Sequence, residues 1–361
     1  MRSVNIQKIY PNQKDELLPV ERMERVASPE ALDRYPCVPF LGDSSASWIG
    51  QNVRNYWHSV EYMVNTEIEV FNRLGHDGLG LGPDAYGIAE ALGAEVIFPE
   101  DSGPYAGRGR IEDYQQLSNR ELLNPKRDGR MPLFLEACKI LRDKADGIVG
   151  VGSSIAGPFT IAGYLRGVER LLRDIYREEE NVHILMRYVT DSCKVWVDTV
   201  AGLDVGISMA DPLASPSILN PKKYAKLVYP YTKELVDYVY EKTGKKPGLH
   251  MCGNTVAIWP YLKQLSVASL SLDNIIDFGK AKEEFQDVFC IMGNVDPVGV
   301  ISQGTKEEIE ADVRRCIHTM GKCKKGYAVA SGCQIPIGTP REKVEYFVEA
   351  VRKYSCEGLQ R

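Results

Sequence analysis

Residues 246–253 read KPGLHMCG, an apolar run opened by Pro247 and Gly248, closed by Gly253, and carrying His250 and Cys252 two positions apart. A short apolar run between turn formers has the signature of a strand. Alternate side chains on a strand share a face, so His250 and Cys252 point into the same space. Working outward, seven further runs have this character: PCVPFLGD (36–43), DGLGLGPD (77–84), GIVGVGSSI (147–155), GISMADP (206–212), ASLSLDN (268–274), CIMGNVD (290–296) and YAVASGC (327–333). Helical patterns lie between them, among them 59–74, 221–243, 305–320 and 340–354. Thr305 followed by Glu308 forms a capping box, and Pro340 after Thr339 suits a first helical turn.

Alternating strands and helices without a Gly/Ser or Pro linker predict an α/β fold of the closed (β/α)8 TIM-barrel type rather than an open sheet. Residues 1–35 are expected to form an N-terminal extension packed on a barrel spanning 36–361. Residues 85–146 are expected to be an elaborated second βα connection that shapes the pocket mouth. The polar residues support the barrel. Asp43, Asp84, Asp211, His250, Cys252, Asp273, Asn294, Asp296 and Cys333 all fall at C-terminal strand ends, and in a barrel those ends meet at one face, where active sites are built.

Composition bounds the function. The 361 residues are 44% hydrophobic and 26% charged, with a net charge of −5; this supports a sizeable core and argues against electrostatic capture of nucleic acid or an anionic membrane. The first residues contain no apolar segment typical of a signal peptide, and no run approaches the ~18 apolar residues of a membrane span. A cytoplasmic location with reduced thiols is the expectation. Nine scattered cysteines do not make a disulfide framework, and most are expected to be small buried hydrophobes. The oligomeric state is not set by the sequence, and a homodimer stays open.

Cys333, in ASGCQIP, ends the last expected strand, three strands round the barrel from His250 and Cys252. One imidazole and two thiolates suit tetrahedral zinc with one position open for chemistry. Asp273 is a candidate fourth ligand, or a group that orients His250 from behind. The plainer alternative makes His250 an interior histidine and both cysteines core filler.

HMCGNT (250–255), SLDNIIDFGKAK (271–282), GNVDP (293–297) and GYAVASGCQIPIGTP (326–340) together resemble the uroporphyrinogen decarboxylase superfamily. Within it they are most similar to the zinc-dependent corrinoid methyltransferase branch, which includes methylcobamide:coenzyme M methyltransferases and chloromethane methyltransferase domains. The resemblance continues upstream through DGLGLGPDAYGIAEALGAEV (77–96) and SIAGPFTIAGYLRG (154–167) and so covers most of the chain. It implies a (β/α)8 barrel, zinc on His250, Cys252 and Cys333, and a corrinoid (cobalamin) carried by a separate partner protein. Cobalamin-independent methionine synthase is similar in adding an acidic residue to such a set, which keeps Asp273 in view. The likeness to true decarboxylases would put a catalytic aspartate at Asp84 and a substrate-contacting tyrosine at Tyr164. However, the arginine-rich motif that grips porphyrinogen carboxylates is absent, the region reading FLGDSSASWIG (40–50), and the late Gly-His-Gly is replaced by Gly332-Cys333-Gln334. A many-carboxylate tetrapyrrole needs cationic partners, so decarboxylation is disfavoured.

The implied function is methyl transfer between a small methylated or methoxylated substrate and a corrinoid protein. Its alternatives are transfer from the corrinoid protein to a zinc-bound thiol such as coenzyme M, and a metal-free lyase using Asp84. Asp211, Asn294 and Trp48 are candidate substrate contacts, although Asp211 could cap a helix, Asn294 could build a turn and Trp48 could be core.

Overall fold

Gly and Pro punctuation delimits the strands in space as it does in sequence. The computed structural model describes residues 5–28 and 31–359. Its central strands are β1 (Cys37–Val38), β2 (Leu79–Gly80), β3 (Val151–Ala156), β4 (Gly206–Ala210), β5 (Gly248–Met251), β6 (Ser269–Leu272), β7 (Cys290–Val295) and β8 (Tyr327–Ser331). All pair in parallel, in the order β1-β8-β7-β6-β5-β4-β3-β2. The two ends of that order meet where the Asp77 N–H donates to the Cys37 carbonyl at 2.9 Å. Asp77 also accepts from the Cys37 N–H at 2.7 Å, so the strands close as a (β/α)8 barrel.

Eight helices follow the strands in turn: α1 (Val60–Leu74), α2 (Met131–Ala145), α3 (Glu179–Ala201), α4 (Tyr229–Thr243), α5 (Trp259–Leu262), α6 (Phe278–Phe285), α7 (Lys306–Met320) and α8 (Arg341–Leu359). Ser59 caps α1 through the Tyr62 N–H, and Thr305 and Glu308 form the expected capping box on α7. Three expectations need correction. The helical pattern at 221–243 is two helices, Pro221–Leu227 and α4, because Pro230 has no N–H and its ring would collide with a carbonyl one turn back. The first two strands, expected over 36–43 and 77–84, are only two residues long, Cys37–Val38 and Leu79–Gly80, and after the first the chain turns at Gly42 (φ 55°) into a 3-10 run, Gly42–Ile49. Pro340 precedes α8, which begins at Arg341.

The second connection is elaborated as expected. It holds an antiparallel pair, Val96–Ile97 with Tyr105–Ala106, a 3-10 run, Tyr114–Asn119, and then α2. The N-terminal segment packs beneath the β1–β2 junction through buried ion pairs. Arg22 meets Asp33 at 2.6 Å and also Asp77, Arg34 meets Asp15 at 2.8 Å and Asp77 at 2.5 Å, and Arg352 of α8 meets Asp15 at 2.9 Å. Paired and hydrogen-bonded charges of this kind are the form in which buried charge is tolerated. Among the described residues no helix is long and apolar enough to cross a membrane.

Candidate metal centre

Three of the expected ligands converge at the C-terminal mouth. His250 lies on β5, Cys252 just beyond its end, and Cys333 two residues beyond the end of β8. Their ligand atoms all fall within 4.8 Å of one another. The His250 Nε2 is 3.1 Å from the Cys252 Sγ, which is 3.8 Å from the Cys333 Sγ. Zinc–sulfur bonds of ~2.3 Å at tetrahedral angles span a sulfur–sulfur edge of roughly 3.8 Å, so the pair is spaced as two zinc ligands would be. The remaining seven cysteines divide differently: Cys37, Cys138, Cys193, Cys290, Cys316 and Cys323 are buried and Cys356 is exposed.

Glycines bring the ligand-bearing loops together. Gly253, after Cys252, has φ +74°, and a Cβ there would lie 2.6 Å from the Ser215 Oγ. Gly332, before Cys333, packs so tightly on the end of β6 that a Cβ would lie 2.4 Å from the Asn274 backbone nitrogen. The Gln334 amide then donates to the Asp43 carboxylate at 2.6 Å and to the Leu41 carbonyl at 3.2 Å. Asp43, which also accepts from the Trp57 indole at 3.0 Å, is pushed above the usual carboxylate range by burial.

The two thiols and the imidazole act on one another. The contact with Cys252, with help from His250, pulls Cys333 well below the usual thiol range against the opposing effect of burial. The same contact, burial and the nearby Asp273 and Asp211 charges push Cys252 up. A cation entering between the two sulfurs would displace a thiol proton.

Asp273 does not join the three ligands. Its carboxylate accepts from the Gly253 N–H at 2.7 Å and the Ile275 N–H at 3.1 Å, so it holds the loop behind Cys252. The group facing the His250 Nδ1 is the Ser271 hydroxyl, at 2.9 Å. Asp84 is similarly committed: Oδ1 accepts from the Tyr86 and Gly87 N–H groups and Oδ2 pairs with Arg130 at 3.0 Å. That arrangement fits a turn anchor better than the catalytic acid or base expected from sequence.

Tyr164 stacks on Tyr86, with ring centroids 4.8 Å apart and 21° between planes. Burial holds both phenols above their ordinary range. Asp211 is fully buried and accepts from the Thr160 N–H and hydroxyl at 2.8 and 2.6 Å. It thus caps the helix Pro158–Arg166, and burial pushes its carboxyl up to about 6. Asn294, also buried, donates to the Asp273 and Ile276 carbonyls. Burial and these bonds give Asp211 and Asn294 structural work. Trp48 is half-buried in the first connection, with the Arg341 guanidinium 5.9 Å from its ring.

Ser271, Gln334 and Asp43 are the functional candidates to which the sequence assigned no role. A signal existed for Ser271, since it stands two residues before Asp273 on one strand and so shares its face.

Comparison with known proteins places this geometry in context. The chain is 26% identical over 350 residues to the methylcobamide:CoM methyltransferase MtbA of Methanosarcina acetivorans, covering 94% of this chain and 99% of that one. It is 27% identical over 266 residues to the methylated-thiol–coenzyme M methyltransferase of Methanosarcina mazei, covering 73% and 69%. The uroporphyrinogen decarboxylase of Carboxydothermus hydrogenoformans is 25% identical over 302 residues, covering 82% and 83%. Among solved structures, a methyltransferase from Methanosarcina mazei superposes with a TM-score of 0.84 at 21% identity, covering 94% of this chain and 99% of that one; it shares the barrel. The uroporphyrinogen decarboxylase (URO-D) family model matches residues 18–354, and the chain belongs to that family.

Proposed function

We propose that this chain is a zinc-dependent methyltransferase that moves a methyl group between a small substrate and the corrinoid of a separate partner protein. The observation that carries the reading is the convergence of His250, Cys252 and Cys333 within 4.8 Å at the barrel mouth, a donor set that suits zinc and leaves one position for substrate. When bound, zinc supplies Lewis acidity toward a sulfur, oxygen or nitrogen atom of the substrate and favours the thiolate form of a thiol. The protein's own residues hold the site. Ser271 fixes the imidazole, Asp273 fixes the turn after Cys252, and Gln334 fixes the turn after Cys333.

Two donors that become thiolates place more negative charge on the metal than neutral ligands would, which favours a reactive bound thiolate over hydrolysis. The names of the methylcobamide:CoM and methylated-thiol–coenzyme M relatives support the same direction, so a thiol acceptor is favoured beside the demethylation of a methylated or methoxylated compound. Lyase chemistry on Asp84 is the weaker reading, because both of its oxygens are engaged by backbone and Arg130.

The test begins with metal content. Purified wild type is expected to hold about one zinc per chain, lost or sharply weakened in His250→Ala, Cys252→Ser and Cys333→Ser. Assays with free methylcobalamin and thiols, and with cob(I)alamin and methylated donors, then separate the two directions. Folded, reduced wild type that takes up no zinc on reconstitution would refute the proposal.

A further inference from the structure

Resting on the zinc reading above, we infer that Ser271 is a positioning residue of the metal site, whose hydroxyl selects the nitrogen that His250 presents to the metal. The barrel register makes the two residues direct neighbours, since β5 and β6 pair His250 with Ser271. Their side chains meet at 2.9 Å through the His250 Nδ1 and the Ser271 Oγ, and Ser271 is only 4% exposed. The other ring nitrogen, Nε2, faces Cys252. Phe40 packs on the ring edge-to-face, centroids 5.8 Å apart and planes at 65°.

A neutral imidazole carries one N–H and one lone pair, and the partner of one nitrogen decides which is which. With the Nδ1 proton donated to Ser271, the lone pair sits on Nε2 and points toward the two sulfurs. Metal-bound histidines usually lean on a carboxylate, a carbonyl or water for this purpose. Here the nearby carboxylate, Asp273, is occupied by two backbone N–H groups, and a neutral hydroxyl takes its place. The consequence is electronic as well as geometric. A hydroxyl polarises the imidazole less than a carboxylate, so the negative charge reaching the metal comes from the two cysteines and not through the histidine.

The experiment measures zinc affinity by chelator competition on the full chain for wild type, Ser271→Ala and Ser271→Thr. The absorption bands of Co(II) loaded in place of zinc are recorded alongside. Ser271→Ala should weaken zinc binding by roughly 10–100-fold and shift the Co(II) bands, while Ser271→Thr, which keeps the hydroxyl on a residue at home in strands, should restore both. Undiminished affinity with unchanged bands in Ser271→Ala would overturn the inference and leave the zinc reading standing. Loss of affinity in Ser271→Ala that Thr fails to restore would also overturn it, because the hydroxyl would not be the agent. Wild type that binds neither metal removes the zinc reading together with the inference.

Discussion

Gly332→Ala offers a sharp test of how the candidate site is assembled. Gly332 precedes Cys333, and the added Cβ would lie 2.4 Å from the Asn274 nitrogen and 2.9 Å from its Cα. These are backbone atoms at the end of β6, and no rotamer change relieves the clash. Reaching an ordinary contact of 3.4 Å requires the end of β8 to retreat by about 1 Å, a displacement large enough to misplace a reactive group and comparable to overpacking that costs ~1–3 kcal/mol. At about 2–4 °C per kcal/mol for domains of 150–250 residues, and less for a longer chain, the melting temperature should fall by a few degrees. Zinc affinity should fall with it, because the retreat carries Cys333 away from Cys252. Thermal unfolding and chelator competition read the two effects separately. Gly150→Ala, where a Cβ meets nothing within 4 Å, is the control and should be silent in both assays. A Gly332→Ala protein as stable as wild type, with unchanged zinc affinity, would refute the claim that this contact sets the position of Cys333.

Glu67, buried on α1 with the Gly80 N–H at 3.4 Å, is pushed by burial from an ordinary 4.5 up to about 7. The folded state keeps a proton that the unfolded chain has lost, so this group's contribution to stability is complete below pH 4.5 and is lost as pH rises toward 7. Glu67→Gln should flatten that slope in pH-dependent denaturant melts and raise stability at pH 8 by on the order of 3 kcal/mol. Arg130 pairs with Asp84 and Glu90 and lies over Phe98 with its guanidinium 4.4 Å from the ring centroid. Arg130→Met should cost about 3 kcal/mol in denaturant melts, because it leaves a buried carboxylate without its partner.

Much of the fold was legible because turn formers bracket each strand and the helical stretches carry caps of known chemistry. The cluster that could hold a metal was legible for a related reason: His250 and Cys252 are two apart on a strand, and thiols with an imidazole have few other joint uses. What failed to read out was the fate of polar groups whose partners are distant in sequence. Asp84 meets Arg130, 46 residues on, and Asp211 meets Thr160, 51 residues back. A carboxylate at a strand end looks the same whether it faces a substrate or a helix N-terminus. Ser271 was harder still, since a hydroxyl declares no chemistry until the barrel register sets it beside His250. The break at Pro230 was visible, but the apolar periodicity runs through it and concealed the interruption.

The ring of strands is unevenly stitched, and this has a consequence for the site. His250 and Cys252 stand on β5, flanked by continuous ladders to β4 and β6. Cys333 belongs to a turn that leans on β1, through Ser331 to the Phe40 N–H, Ile335 to the Phe40 carbonyl, and Gln334 to Leu41. β1 borders the junction with β2, where the Asp77–Cys37 bonds stand in place of a ladder. Local opening costs least where the fewest backbone bonds must break. Cys333 follows a strand held to β7 over five residues, with the Gly332 N–H bonded to the Val295 carbonyl, yet its turn leans on the chain just after β1 and so stands nearer that seam than His250 and Cys252 do.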